Sequence, residues 1–218
     1  MENKKKTALI AGASGLVGGH CLATLLENDN YSKVISIGRR ALTITHSKLE
    51  QHIIDFNKLE SYQTLFEVNH VFCCLGTTIK KAGSKEKFRL VDQVFPMKMA
   101  QLAKLTGVEV YSIVTAMGGN PKSSIFYNQV KGEVERDLET LDIPTVHVLQ
   151  PSLLLGDRNE RRTGEAIAQA LFKVINPLFV GKLKAFKGIP GKQVAETMVR
   201  LSNDGSKGYQ KHPSNLLW

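Results

Sequence analysis

Two rhythms of apolar and polar positions run along the chain. Short, nearly unbroken apolar runs occur at Ala8–Ala11, Val34–Ile37, His52–Ile54, Val71–Leu75, Val108–Val114 and Thr145–Leu149. A half-exposed strand would alternate, so runs of this kind predict strands buried on both faces. Between them, apolar residues recur every three or four positions over Leu16–Glu27, Glu86–Leu105 and Gln129–Leu141, which predicts amphipathic helices. Strands and helices taking turns in this way predict an α/β fold, a doubly wound parallel sheet covered on both faces. Beyond residue 150 the rhythm loosens into a basic DRNERR stretch, a helix-like Gly164–Val174, Pro177, a Lys-rich piece and a helix-like Lys192–Ser202. We read 1–218 as a single domain in which 151–218 form a small C-terminal appendage over the carboxyl edge of the sheet, where ligands of open α/β sheets bind.

Composition narrows the class. A chain of 218 residues buries roughly 70% of its exposable surface on folding and needs no disulfide or metal staple. Its three cysteines, Cys21, Cys73 and Cys74, show no ligand spacing, and its histidines form no cluster, so no metal site is expected. No apolar run is long enough to span a membrane. Lys4–Lys6 imitate the start of a signal peptide, but the apolar run from Thr7 is a strand's length and Gly12 breaks it. Reduced thiols and the lack of a leader lead us to expect a cytoplasmic protein. Lys and Arg together number 29 against 20 Asp and Glu, a net charge of +9. That excess raises nucleic acid as a partner. The basic residues are dispersed, however, few aromatics lie among them, and no nucleic-acid-binding motif occurs, so no nucleic acid is expected.

Four constellations carry chemistry. Gly12, Gly15 and Gly18 follow the first strand and open the first helix, where glycines permit a tight turn, close approach to a pyrophosphate and helix–strand packing. The free N–H groups of the helix starting near Leu16 would hold the phosphates. Arg39 and Arg40 follow the second strand, where a carboxylate would favour NAD(H) and arginines suit the 2′-phosphate of NADP(H). Tyr127 and Lys131 stand four apart on one helix face, and a cation beside a phenol stabilises the phenolate, making it usable for acid–base work. Thr115 ends the preceding strand with a hydroxyl suited to polarising a carbonyl. Gly76, Thr77 and Thr78 follow the fourth strand, where backbone can pass close to a dinucleotide, and Asp55 closes the third strand, within reach of an adenine amino group.

With these features in this order, CCLGTT at 73–78, KSSIFYNQVKGEVE at 122–135 and QPSLLLGDRNERRTGE at 150–165 make the chain resemble the atypical branch of the short-chain dehydrogenase/reductase superfamily, and within it the Tat-interacting-protein (CC3-type) oxidoreductase family. The resemblance implies an NAD(P)-binding Rossmann fold that takes NADP(H) in preference to NAD(H). It implies catalysis by Thr115, in place of the usual serine, with Tyr127 as proton donor and Lys131 holding the nicotinamide ribose. It places Gly12, Ser14, Gly15, Leu16, Val17 and Gly18 in the dinucleotide loop, Arg39 and Arg40 on the 2′-phosphate, Asp55 and Phe56 near adenine, and Leu75, Gly76, Thr77, Thr78 and Pro151 along the cofactor. The expected activity is reduction of a small carbonyl, or oxidation of the alcohol. The alternative is an NADP(H)-sensing module that binds a protein partner with little turnover.

Overall fold

The structure is a computed structural model that describes residues 5–156 and 187–218. Arg158, Arg161, Arg162 and the helix-like Gly164–Val174 lie outside the described residues. Its main sheet holds β1 (Lys6–Ala11), β2 (Tyr31–Gly38), β3 (Leu49–Ile53), β4 (His70–Cys73), β5 (Val110–Val114), β6 (Thr145–Gln150) and β9 (Gly208–Pro213). They lie in the order β3-β2-β1-β4-β5-β6-β9, and every pairing is parallel. The order turns around between β1 and β4, which opens a crevice at their carboxyl ends. Two short strands, β7 (Leu154–Leu155) and β8 (Ile189–Pro190), pair separately.

Side chains alternate across β1 and divide the core into two layers. Leu9 and Ala11 face the layer under α4 (Phe95–Leu105) and α5 (Phe126–Glu139); Ala8 and Ile10 face the layer under α1 (Leu16–Glu27) and α6 (Gly191–Leu201). The apolar runs in β1, β2, β4, β5 and β6 are buried because each layer covers a whole face, whereas the run at His52–Ile54 ends an edge strand, β3, that is only half-buried and leaves Ile53 64% exposed. The end of the tail joins this core: α6 packs on α1, and β9 extends the sheet beside β6. The polar, exposed pattern of an edge strand hid β9 from the hydrophobic reading.

The amphipathic stretch Glu86–Leu105 is helical throughout but not uniform. It is α3 (Lys85–Arg89), a wide π-helical turn at Leu90–Val94 and then α4; α2 (Ile79–Ala82) precedes it. In the wide turn the Phe95 N–H reaches back to the Leu90 carbonyl. Pro96 follows directly and has no N–H to continue a regular ladder, which accounts for the widening at this point.

Candidate functional site

Register brings the candidate residues to one edge. Ala11 pairs with Ile37 on one side and Cys73 on the other, so the Gly12 loop leaves the sheet between Arg39–Arg40 and the 74–78 loop. Gly38 pairs with Ile53, setting Asp55 beside the arginines. Cys73 pairs with Ile113 and Val114 with Leu149, which sets Thr115 next along the same edge.

The glycine loop is built by backbone contact. Gly12 has φ +87°, and a Cβ on it would stand 2.4 Å from the Cys74 carbonyl oxygen. A Cβ on Gly18 would stand 2.1 Å from the Gly12 oxygen, which itself accepts the Gly15 N–H at 2.9 Å. The turn therefore closes on itself and against the 74–78 loop. Gly15 caps α1 with no side-chain hydrogen bond, the first turn carries no acidic residue, and Ser14 and Gly15 are exposed. The first amides of a twelve-residue helix thus point out of the crevice with no side chain on them, a donor set that fits a pyrophosphate. Leu16 is half-buried and Val17 buried. The Val17 side chain belongs to the core, leaving its amide for a ligand.

Arg39 and Arg40 are both exposed just past β2. Asp55 is exposed too, but one carboxylate oxygen accepts the Asn57 N–H at 3.0 Å and its side-chain amide at 2.9 Å, capping the 3-10 segment Phe56–Phe66. The Asn57 bonds hold the Asp55 carboxyl below its ordinary value. The Phe56 ring sits in the core, 5.4 Å from that of Phe95, so only its backbone faces the edge. Thr78 caps α2, and the buried Pro151 accepts the Met117 N–H through its carbonyl at 2.9 Å. Of the apolar residues after 150, Leu153 is 42% exposed and Leu155 half-buried.

Tyr127 and Lys131 share one face of α5, with the lysine amine 6.0 Å from the centre of the phenol ring. The other face of the ring environment is Phe88, 5.6 Å away between centres. The amine is buried against Asp92 at 2.8 Å. The second oxygen of Asp92 accepts the Thr77 N–H at 2.8 Å. Burial opposes a charge on Lys131, but Asp92 and Tyr127 prevail and its pKa is raised above the usual lysine value.

Thr115 is hydrogen-bonded within the protein. Its hydroxyl donates to the Glu135 carboxylate at 2.7 Å, with the Leu149 carbonyl at 3.3 Å, so its one hydrogen is directed into the protein rather than at a substrate oxygen. Glu135 is fully buried and also accepts from the Gln150 amide at 2.8 Å, with the Lys211 amine at 3.4 Å. Asp92 and Glu135 are the residues that motif reading missed. Both occupy the apolar stripe of an amphipathic helix: Asp92 lies between Phe88 and Phe95–Pro96, and Glu135 between Val134 and Leu138. A carboxylate in such a stripe must find donors, which is the signal that finds them. Among the described residues no group of histidine, cysteine or carboxylate side chains could hold a metal, and no helix is long and apolar enough to cross a membrane.

No family model matches the chain. It is 41% identical to protein HTATIP2 of Rattus norvegicus over 176 residues, 79% of this chain and 72% of the relative. It is 31% identical to protein FMP52-1, mitochondrial, of Scheffersomyces stipitis over 212 residues, 91% of this chain and 88% of the relative. The Bordetella bronchiseptica enzyme WbmH, solved in complex with NAD+, shares the fold at 19% identity with a TM-score of 0.70, covering 96% of this chain and 76% of that one. The cytoplasmic expectation does not stand, because fungal FMP52 relatives at 28% to 34% identity are named mitochondrial. Similarity over most of its length to HTATIP2 and FMP52, on a parallel sheet ordered β3-β2-β1-β4-β5-β6-β9, places the chain in the atypical short-chain dehydrogenase/reductase family of NAD(P)-binding Rossmann proteins.

Proposed function

We propose that the protein is an NADP(H)-dependent oxidoreductase that reduces a small carbonyl compound, with Tyr127 as proton donor. The observation that supports this most is the Tyr127–Lys131 pair, held on one helix face with the lysine charge buried beside the phenol. The uncapped start of α1 would take the pyrophosphate, Arg39 and Arg40 the 2′-phosphate, and the 75–78 loop and Pro151 would border the cofactor, with Asp55 toward adenine through the oxygen not used as a cap. When bound, NADPH supplies the hydride. Tyr127 then gives its phenolic proton to the carbonyl oxygen, and the ammonium of Lys131 stabilises the phenolate left behind. Thr115 supports this arrangement through Glu135, steadying the edge of β5 on which a substrate would rest.

The test is turnover of a carbonyl panel by wild type and Tyr127→Phe. We expect kcat to fall by about 10²- to 10⁴-fold, the usual worth of a positioned general acid, with NADPH binding intact. Turnover that survives in Tyr127→Phe would overturn the assignment. A wild type that binds NADPH tightly and reduces no carbonyl would favour a dinucleotide-responsive binding module instead.

A further inference from the structure

We infer that Asp92 is a positioning residue: its carboxylate fixes the Lys131 amine, charged, beside Tyr127 and ties it to the Thr77 backbone of the loop after β4. This rests on the reading of Tyr127 as the acid and adds the residue that readies its partner.

The geometry carries the argument. The two side chains meet at 2.8 Å, where Lys131 is 6% exposed and Asp92 1%. An ammonium so far from water sheds its proton unless a counter-charge is built beside it. Among the described residues, the titratable groups that act on the amine are Asp92 from the wide turn, Tyr127 from its own helix and Cys73 from β4. Burial pushes the Cys73 thiol up to about 12, so it stays uncharged near neutrality. Asp92 is therefore the group that compensates the lysine. Its second oxygen is held by the Thr77 N–H, so the carboxylate is anchored from both sides and cannot swing away. The wide turn aims Asp92 inward along the same stripe as Phe88 and Phe95, and π-helical turns are concentrated at functional sites for such reasons. One carboxylate thus links a backbone amide that borders the dinucleotide crevice to the cation beside the acid.

The direct test follows the Lys131 Nζ signal by NMR in the full chain labelled with ¹⁵N-lysine, assigned with Lys131→Met, without substrate. In wild type Lys131 stays an ammonium through pH 10. In Asp92→Asn it loses its proton at least about one pH unit lower, as buried lysines without a counter-ion do. In turnover, the alkaline limb of the pH profile of Asp92→Asn moves to lower pH through kcat, with KM for the carbonyl little changed, and Asp92→Glu moves it back. A Lys131 that titrates as in wild type, or a uniform rate loss with an unmoved limb, would make Asp92 mere scaffold and overturn the inference. Should Asp92→Asn fail to fold, Asp92→Asn/Lys131→Met removes both charges and recovers the folded state. A double variant as unstable as the single would count against the pairing. The NMR titration needs no turnover, so its outcome is separate from that of Tyr127→Phe.

Discussion

The Thr115 hydroxyl is bonded to the Glu135 carboxylate across 2.7 Å, and both residues are buried. A hydroxyl has one hydrogen, and here it is committed to a charge that three elements share: β5's end, the Gln150 amide at the end of β6, and Lys211 of β9. Removing it with Thr115→Val should cost about 1.5–3 kcal/mol of stability, the range for hydrogen bonds to charged groups. It should lower kcat by less than about tenfold, against the 10²- to 10³-fold loss of an oxyanion donor. Thermal melts and steady-state kinetics on one preparation check both numbers.

Cofactor choice should follow the two arginines past β2. Arg39→Ala/Arg40→Ala removes charged donors that have no competing structural role in the described residues beyond the turn itself. The KM for NADPH should rise by more than about tenfold, since one bond to a charged group is worth at least that factor. The KM for NADH should stay nearly constant. Equal losses for both cofactors would remove the 2′-phosphate assignment.

Gly18→Ala tests the glycine loop as packed backbone. The new methyl would meet the Gly12 carbonyl oxygen at 2.1 Å, and neither partner is a flexible side chain. A loss of about 1–3 kcal/mol is expected from such overpacking, together with weaker dinucleotide binding measured by fluorescence titration. Gly19→Ala meets its nearest neighbour at 3.4 Å and serves as the control.

Acid sensitivity should come from histidines on the far side of the sheet. His70 is buried between the Lys6 amine at 3.0 Å and the Tyr31 hydroxyl at 2.8 Å, and burial with the Lys6 charge brings its pKa down to about 3. His147, 3.0 Å from His212, is brought down to about 4 by burial and by His212. An unfolded histidine takes up its proton near pH 6.5, so the unfolded chain binds more protons between there and pH 3–4. The stability these residues provide is full above about pH 6.5 and falls as pH drops, by up to about 1.4 kcal/mol per unit for each. Denaturant melts from pH 7 to pH 4.5 should show that slope, and His70→Gln should flatten it.

Much of the fold was legible because burial on both faces leaves a mark in composition: Leu9, Val34 and Val71 announce their strands without help from context. Where burial is one-sided the mark fades, and β9, running Gly-Tyr-Gln-Lys-His-Pro at the sheet's edge, looks like a loop. The candidate site divides in the same way. Gly12, Tyr127 and Lys131 stand in local spacings, so the sequence shows them. The bonds of Lys131 to Asp92 and of Thr115 to Glu135 join residues 39 and 20 positions apart, and spacing is silent about them. The position of Asp55 before a loop is open both to an adenine contact and to a turn, and the structure shows its carboxylate engaged by the turn.

The wide turn at Leu90–Val94 takes up one residue more than an α-helical turn, and so keeps α3 and α4 nearly in phase. A residue deleted within it, Asp92 kept, would restore a plain helix and leave Phe88 on the Tyr127 ring. A residue inserted in α4 instead, with no wide turn to absorb it, would rotate everything before it by about 100° and carry Phe88 off that ring. The turn is thus the one place along this stretch where a change of length is absorbed before it reaches the site.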